Sequence, residues 1–151
     1  MAACSYDFDC VRKTFNLPVL QDFQKETLTA LLNKRDAFVS VRTGGGKSIC
    51  YQGFVTAFGD RHREEPCSVL VVSPLISIMK EQCKYLENIG FSSAYIGCDS
   101  GKDEAIFANS IQFVFTSPES LCGSDKWRGW LTNNTTIRLI AVDEAHTVLH
   151  W

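Results

Sequence analysis

The sequence predicts an α/β fold: a parallel β-sheet with helices on both faces, three layers in all. Two observations predict it. Short runs of β-forming residues at 37–41, 68–72, 93–96, 111–115 and 137–142 alternate with segments of helical character. The main runs are also continuously apolar rather than alternating, the pattern of strands covered on both sides.

The elements follow in order. Residues 5–16 predict a short helix that buries Phe8, Val11 and Phe15. In a second helix Leu20, Phe23, Leu28, Leu31 and Leu32 share one face, with Asp22 as the expected N-cap. Ala37–Val41 is expected as a strand, Ser48 to about Phe58 as a helix, and 59–66 as a polar loop. Ser68–Val72 is a second buried strand. Ser73 and Pro74 then suit the N-cap and first position of a helix with the apolar stripe Leu75, Met79, Cys83 and Leu86, which Gly90 would close. After Ser93–Ile96 come a polar turn and a helix near 102–109, then the strand Ile111–Phe115. Ser117-Pro118-Glu119 repeats the Ser-Pro helix start, with Glu119 near the positive end of the dipole. A helix over Asp125–Leu131, whose Trp127 and Trp130 are read as packing residues, and a last strand Ile137–Val142 complete the chain.

Composition bounds the function. The chain has 151 residues, 45% hydrophobic, and a formal net charge of −2, which excludes a disordered chain and a globally basic one. Any grip on nucleic acid must therefore come from a local strip. The seven cysteines include no C-x-x-C pair, so scattered thiols in a reducing compartment are expected rather than a disulfide framework or zinc site. There is no secretory signal and no apolar run near the ~20 residues of a membrane span, which points to a soluble nuclear or cytosolic protein.

Two motifs carry chemistry. Residues 42–48 read Arg-Thr-Gly-Gly-Gly-Lys-Ser between an expected strand and an expected helix. Gly44, Gly45 and Gly46 would let backbone N–H groups close on phosphate, Lys47 would reach the β- and γ-phosphates, and the Ser48 hydroxyl would ligate Mg²⁺. The strict pattern is incomplete, because Val41 stands where its first glycine belongs. The plainer alternative is a flexible glycine turn. Asp143-Glu144-Ala145-His146 follows the last strand directly. Adjacent residues there point in different directions, so Asp143 is assigned to the metal and Glu144 to orienting and deprotonating the attacking water. Taken alone, that tetrad could equally be a solvated acidic turn.

Taken together, these segments resemble a RecQ-type DNA helicase of superfamily two. The resemblance lies in 35–52 with its Cys-Tyr-Gln, in Val71–Gln82, in Phe115–Glu119 and in Ala141–His146, and it runs from about Leu20 to the end. It implies a RecA-like fold, ATP and Mg²⁺ as cofactors, and 3′ to 5′ movement along DNA. By the same resemblance Gln24 reads adenine, Thr43 joins the cradle, and Ser73, Pro74 and Thr116 face DNA. Gln21 stands where the family usually has an adenine-packing arginine, and Arg42 where it usually has proline.

The resemblance divides the chain into a helical extension (1–19) and an incomplete ATP-binding domain (20–151). The strand expected between 37–41 and 137–142 would come after Trp151, which implies a truncated sheet with a gap between those two. No counterpart of the second helicase lobe is found in the sequence. The favoured expectation is therefore an ATP-binding fragment of a DNA-unwinding, recombination or repair helicase that does not unwind alone. A non-catalytic product binding nucleotide or a partner and a D-E-A-H-type RNA helicase are the alternatives.

Overall fold

The computed structural model describes residues 7–42, 46–97 and 101–144. They belong to two compact units, 1–65 and 66–151.

The first unit is helical. Helix α1 (Asp9–Thr14) is shorter than expected but buries the three predicted residues Phe8, Val11 and Phe15. Helix α2 (Asp22–Leu32) is capped by Gln21 rather than Asp22. Gln21 is extended, and its side chain and that of Gln24 satisfy each other's backbone N–H groups, the capping-box arrangement with glutamine in both places. Asp22 instead places its charge in the first turn. The helix expected from Ser48 is two pieces, α3 (Ile49–Gln52) and α4 (Phe54–Arg61), and the second runs into the segment expected to be loop. They meet at Gly53, where a Cβ would lie 2.8 Å from a methyl of Val11, so α1 packs against bare backbone.

The strand expected at Ala37–Val41 does not form; 33–42 holds no helix or strand, and Phe38 is 85% exposed. A β-forming run becomes a strand when its N–H and C=O groups meet a neighbouring ladder, and among the described residues no strand pairs with these. The expected gap between this strand and the last one therefore has no first strand to define it.

The second unit holds a four-stranded parallel sheet of β1 (Ser68–Val72), β2 (Ser93–Tyr95), β3 (Phe113–Thr116) and β4 (Ile137–Val142), in the order β2-β3-β1-β4. This is the arrangement expected of a RecA-like α/β fold. Strands β1 and β3 are buried throughout, as their uninterrupted apolar sequences predict. Helix α5 (Ile76–Ile89) joins β1 to β2, and α6 (Asp103–Phe107) joins β2 to β3. Helices α7 (Pro118–Cys122) and α8 (Asp125–Thr132) join β3 to β4.

Leu70, Val72, Ala94, Ile96 and Val114 pack with Ile106, Leu121, Trp127 and Trp130 on one face. Trp130 also donates its indole N–H to the Ile106 carbonyl at 3.1 Å, so both tryptophans are packing residues. The α5 side takes the alternate residues, and there the buried Ser93 hydroxyl donates to the Cys83 carbonyl at 2.8 Å. The crossover β1→β2 runs one way along the sheet, and β2→β3 and β3→β4 run back. Their helices accordingly lie on opposite faces, as right-handed crossovers require.

Two of the expected helix ends form as their chemistry predicts, and one does not. Ser117 caps α7 by accepting from the Ser120 N–H, Pro118 is its first residue, and Gly90 ends α5 at φ 115°. The exception is Ser73. Helix α5 starts at Ile76 with Leu75 as its N-cap, because the Ser73 N–H still donates to the Thr116 carbonyl at 2.9 Å. Ser73 is thus the last residue of the sheet rather than the first of the helix.

Candidate functional site

Each unit carries one of the two motifs. In the first, Thr43, Gly44 and Gly45 lie outside the described residues. Gly46 has φ 85°, a left-handed conformation that favours glycine. Its carbonyl accepts from Gln24 Nε2 at 2.9 Å, and a Cβ at Gly46 would meet that nitrogen at 2.7 Å. Gln24 is 4% exposed, and its oxygen accepts from the Gln21 N–H at 2.8 Å. These two bonds use one of the amide's two hydrogens and one of its oxygen's two lone pairs. The glutamine assigned to adenine is therefore also the clamp that holds the end of the glycine run against α2. Lys47 and Ser48 are half-buried, and their carbonyls accept from Cys50 and Gln52 as α3 begins.

In the second unit, the crest of the sheet gathers the carboxyl ends of β3, β1 and β4. The ladder continues one step past the strands: the Asp143 N–H donates to the Val72 carbonyl at 2.9 Å, as the Ser73 N–H does to Thr116. Val72 pairs with Val142, so Ser73 and Asp143 stand in register. The chain turns sharply after Asp143. Glu144 has φ 55°, and its N–H donates to Asp143 Oδ1 at 3.0 Å. The turn therefore begins at the residue where the ladder ends. Both residues are half-buried.

The residues assigned to DNA are less accessible. Ser73 is 1% exposed and Thr116 fully buried, with the Thr116 hydroxyl donating to the Ser117 carbonyl at 3.0 Å. Pro74 is half-buried, while Leu75 and Ile76 beyond it are 49% and 46% exposed. Sequence reasoning missed Gln21 as a cap and the burial of Ser73. The first was legible in the Gln-x-x-Gln spacing, and the second depends on where the ladder stops.

The model of the DEAD/DEAH box helicases matches residues 21–151. The chain belongs to the DEAD/DEAH box helicase family. Its relatives are RecQ-type, as the motifs implied. This helicase-family chain is 32% identical over 155 residues to the ATP-dependent DNA helicase Q1 of Rattus norvegicus, covering 93% of the chain and 23% of the relative. It is 31% identical to the ATP-dependent helicase SGS1 of Saccharomyces cerevisiae, covering 93% and 10%. It is 28% identical to the ATP-dependent DNA helicase RecQ of Haemophilus influenzae, covering 93% and 22%. The chain spans less than a quarter of the length of the curated relatives it matches. Among the described residues, no helix is long and apolar enough to cross a membrane.

Proposed function

We propose that this chain is the ATP-binding part of a RecQ-like 3′ to 5′ DNA helicase of recombination and repair, acting in the nucleus. The observation that carries the reading is the crest of the second unit. Three motif-bearing segments end there at the carboxyl ends of three parallel strands, where open α/β sheets bind ligands. Similarity to helicases described as ATP-dependent supports the cofactor.

In the first unit, Lys47 with Thr43 and the glycines would hold the triphosphate, and Ser48 would offer its hydroxyl to the metal. In the second, Asp143 would bind Mg²⁺ and Glu144 would orient and deprotonate the attacking water. The residues at the crest fit such an ion: magnesium beside phosphate takes one or two carboxylates and keeps its waters. Asp143 offers a half-buried carboxylate at a strand end, already fixed through one oxygen. The bound ion would neutralise charge on the phosphates. DNA contact at Ser73 and Thr116 would need the crest to open, whereas Pro74 and the exposed start of α5 could meet a strand directly.

Binding of a fluorescent ATP analogue with Mg²⁺ tests this. Lys47→Ala should weaken binding ~10-fold or more, the worth of a charge-assisted hydrogen bond. Glu144→Gln should leave binding within about twofold and abolish hydrolysis. Equal affinity of Lys47→Ala and the parent would sink the assignment.

A further inference from the structure

The Ser73 hydroxyl is a buried side-chain polar atom with no hydrogen-bond partner among the described residues, on a residue 1% exposed. A polar group in that position is unfavourable, and a native fold that keeps one usually has a use for it. Its location narrows the use. Ser73 extends β1 by one residue, and its backbone is held on both sides. Its own N–H is bonded to Thr116, and the preceding carbonyl accepts from Asp143.

Because Val71 pairs with Ala141 and Val72 with Val142 in parallel, Ser73 falls opposite Asp143. Parallel partners in register put their side chains on one face, with neighbouring strands ~4.8 Å apart. A hydroxyl and a carboxylate so placed need a side-chain rotation, not a backbone shift, to meet directly or through one water. The Asp143 carboxylate is at present tethered through Oδ1 to the Glu144 N–H. Its second oxygen lies on the side chain that shares a face with Ser73.

The geometry points to Ser73 as a positioning residue for the metal: its hydroxyl donates to the Asp143 carboxylate once a divalent cation is bound there, fixing the carboxylate's orientation. This rests on the assignment of Asp143 to Mg²⁺. The neighbouring hydroxyls are already engaged, Thr116 with the Ser117 carbonyl and Ser117 with α7, so the crest offers Asp143 this one donor among the described serines and threonines of β1 and β3. Without a cation the hydroxyl is a liability to the fold; with one it gains an acceptor and steadies a ligand.

The experiment uses the full chain and Mn²⁺ as the probe ion. Mn²⁺ affinity is measured by electron paramagnetic resonance with ATP present, and melting is followed with EDTA and with Mn²⁺·ATP. Ser73→Ala should bind Mn²⁺ about 5- to 10-fold more weakly, while its affinity for ATP in EDTA is unchanged. It should melt in EDTA at or above the parent's temperature and gain less from Mn²⁺·ATP. In the Asp143→Ala background, Ser73→Ala should have no further effect, since the hydroxyl acts through that carboxylate.

Unchanged Mn²⁺ affinity in Ser73→Ala, alongside a large loss in Asp143→Ala, would overturn the positioning role alone. A lower melting temperature in EDTA would do the same, because it would make Ser73 a plain structural residue. A parent whose Mn²⁺ affinity is indifferent to Asp143→Ala would overturn both this role and the metal assignment.

Discussion

Residues 37–41 (Ala-Phe-Val-Ser-Val) and 137–142 (Ile-Arg-Leu-Ile-Ala-Val) are both short β-forming runs, and each leads directly into a motif of phosphate chemistry. The second lies in the sheet beside β1, with a bulge at its start that admits Arg138 and lets its guanidinium donate to the Pro66 carbonyl at 3.2 Å. The first takes no regular structure and leaves Phe38 in solvent. Propensity is similar in the two, so it does not decide between them. What β4 has is a neighbour: β1 presents a ladder, and each residue fixed against it satisfies backbone groups that would otherwise stay with water. Even so, β4 is paired on one side among the described residues, and alternate side chains remain partly exposed. Being a strand and being a buried strand are thus separate gifts of the neighbourhood.

The sharpest way to break this comparison is to put proline in both places. Val71→Pro removes an N–H from a central strand that pairs with β3 and β4. It should destabilise the second unit by ~3 kcal/mol or more, since a sheet interior tolerates neither the missing donor nor the fixed ring. Val39→Pro, in a segment with no ladder, should change stability by no more than about 0.5 kcal/mol. Urea unfolding followed by circular dichroism measures both. Comparable losses would mean that 37–41 does pair in solution and that the contrast is false.

The same contrast explains how far the sequence could be read. Local chemistry was legible: the buried strands β1 and β3, the Ser117-Pro118 helix start, the Gly90 stop and the Met79, Cys83 and Leu86 stripe of α5 each depend on residues within a few positions of one another, whereas Leu75, expected in that stripe, is the exposed N-cap. The Asp143-Glu144 pair at a strand end was legible for the same reason. The burial of Ser73 depends on a distant partner. Ser-Pro is a good helix start and predicts Ser73 as a cap, but its N–H belongs to β3, more than 40 residues on. Gln24, which the resemblance assigns to adenine, also bonds Gly46, and that contact across 22 residues is not visible in local spacing. Asp22 lost the cap to Gln21 because two glutamines three apart satisfy two N–H groups where one aspartate satisfies one.

A smaller effect is expected on the outer face of β4. Ile140 and Val142 are 52% and 45% exposed although their partners Leu70 and Val72 are core residues. An apolar strand with a row of available backbone groups invites pairing with another chain. Ile140→Lys should therefore reduce self-association of the purified chain several-fold in sedimentation velocity, while stability shifts by under ~1 kcal/mol. Unchanged association would show that this edge is not the contact, and a large loss of stability would show that Ile140 is covered after all.

The smallest effect is expected at Phe38, and it bears most directly on the comparison. At 85% exposure its ring has little apolar area to lose, so Phe38→Ser should stay within about ±0.5 kcal/mol in the same urea titration. A fully buried phenylalanine such as Phe113, 0% exposed on β3, would lose ~3–5 kcal/mol on truncation to alanine. The pair brackets the scale. If Phe38→Ser fell near the Phe113→Ala value, the ring would be packed in solution, and 37–41 would have found the neighbour that separates a strand from a β-forming run.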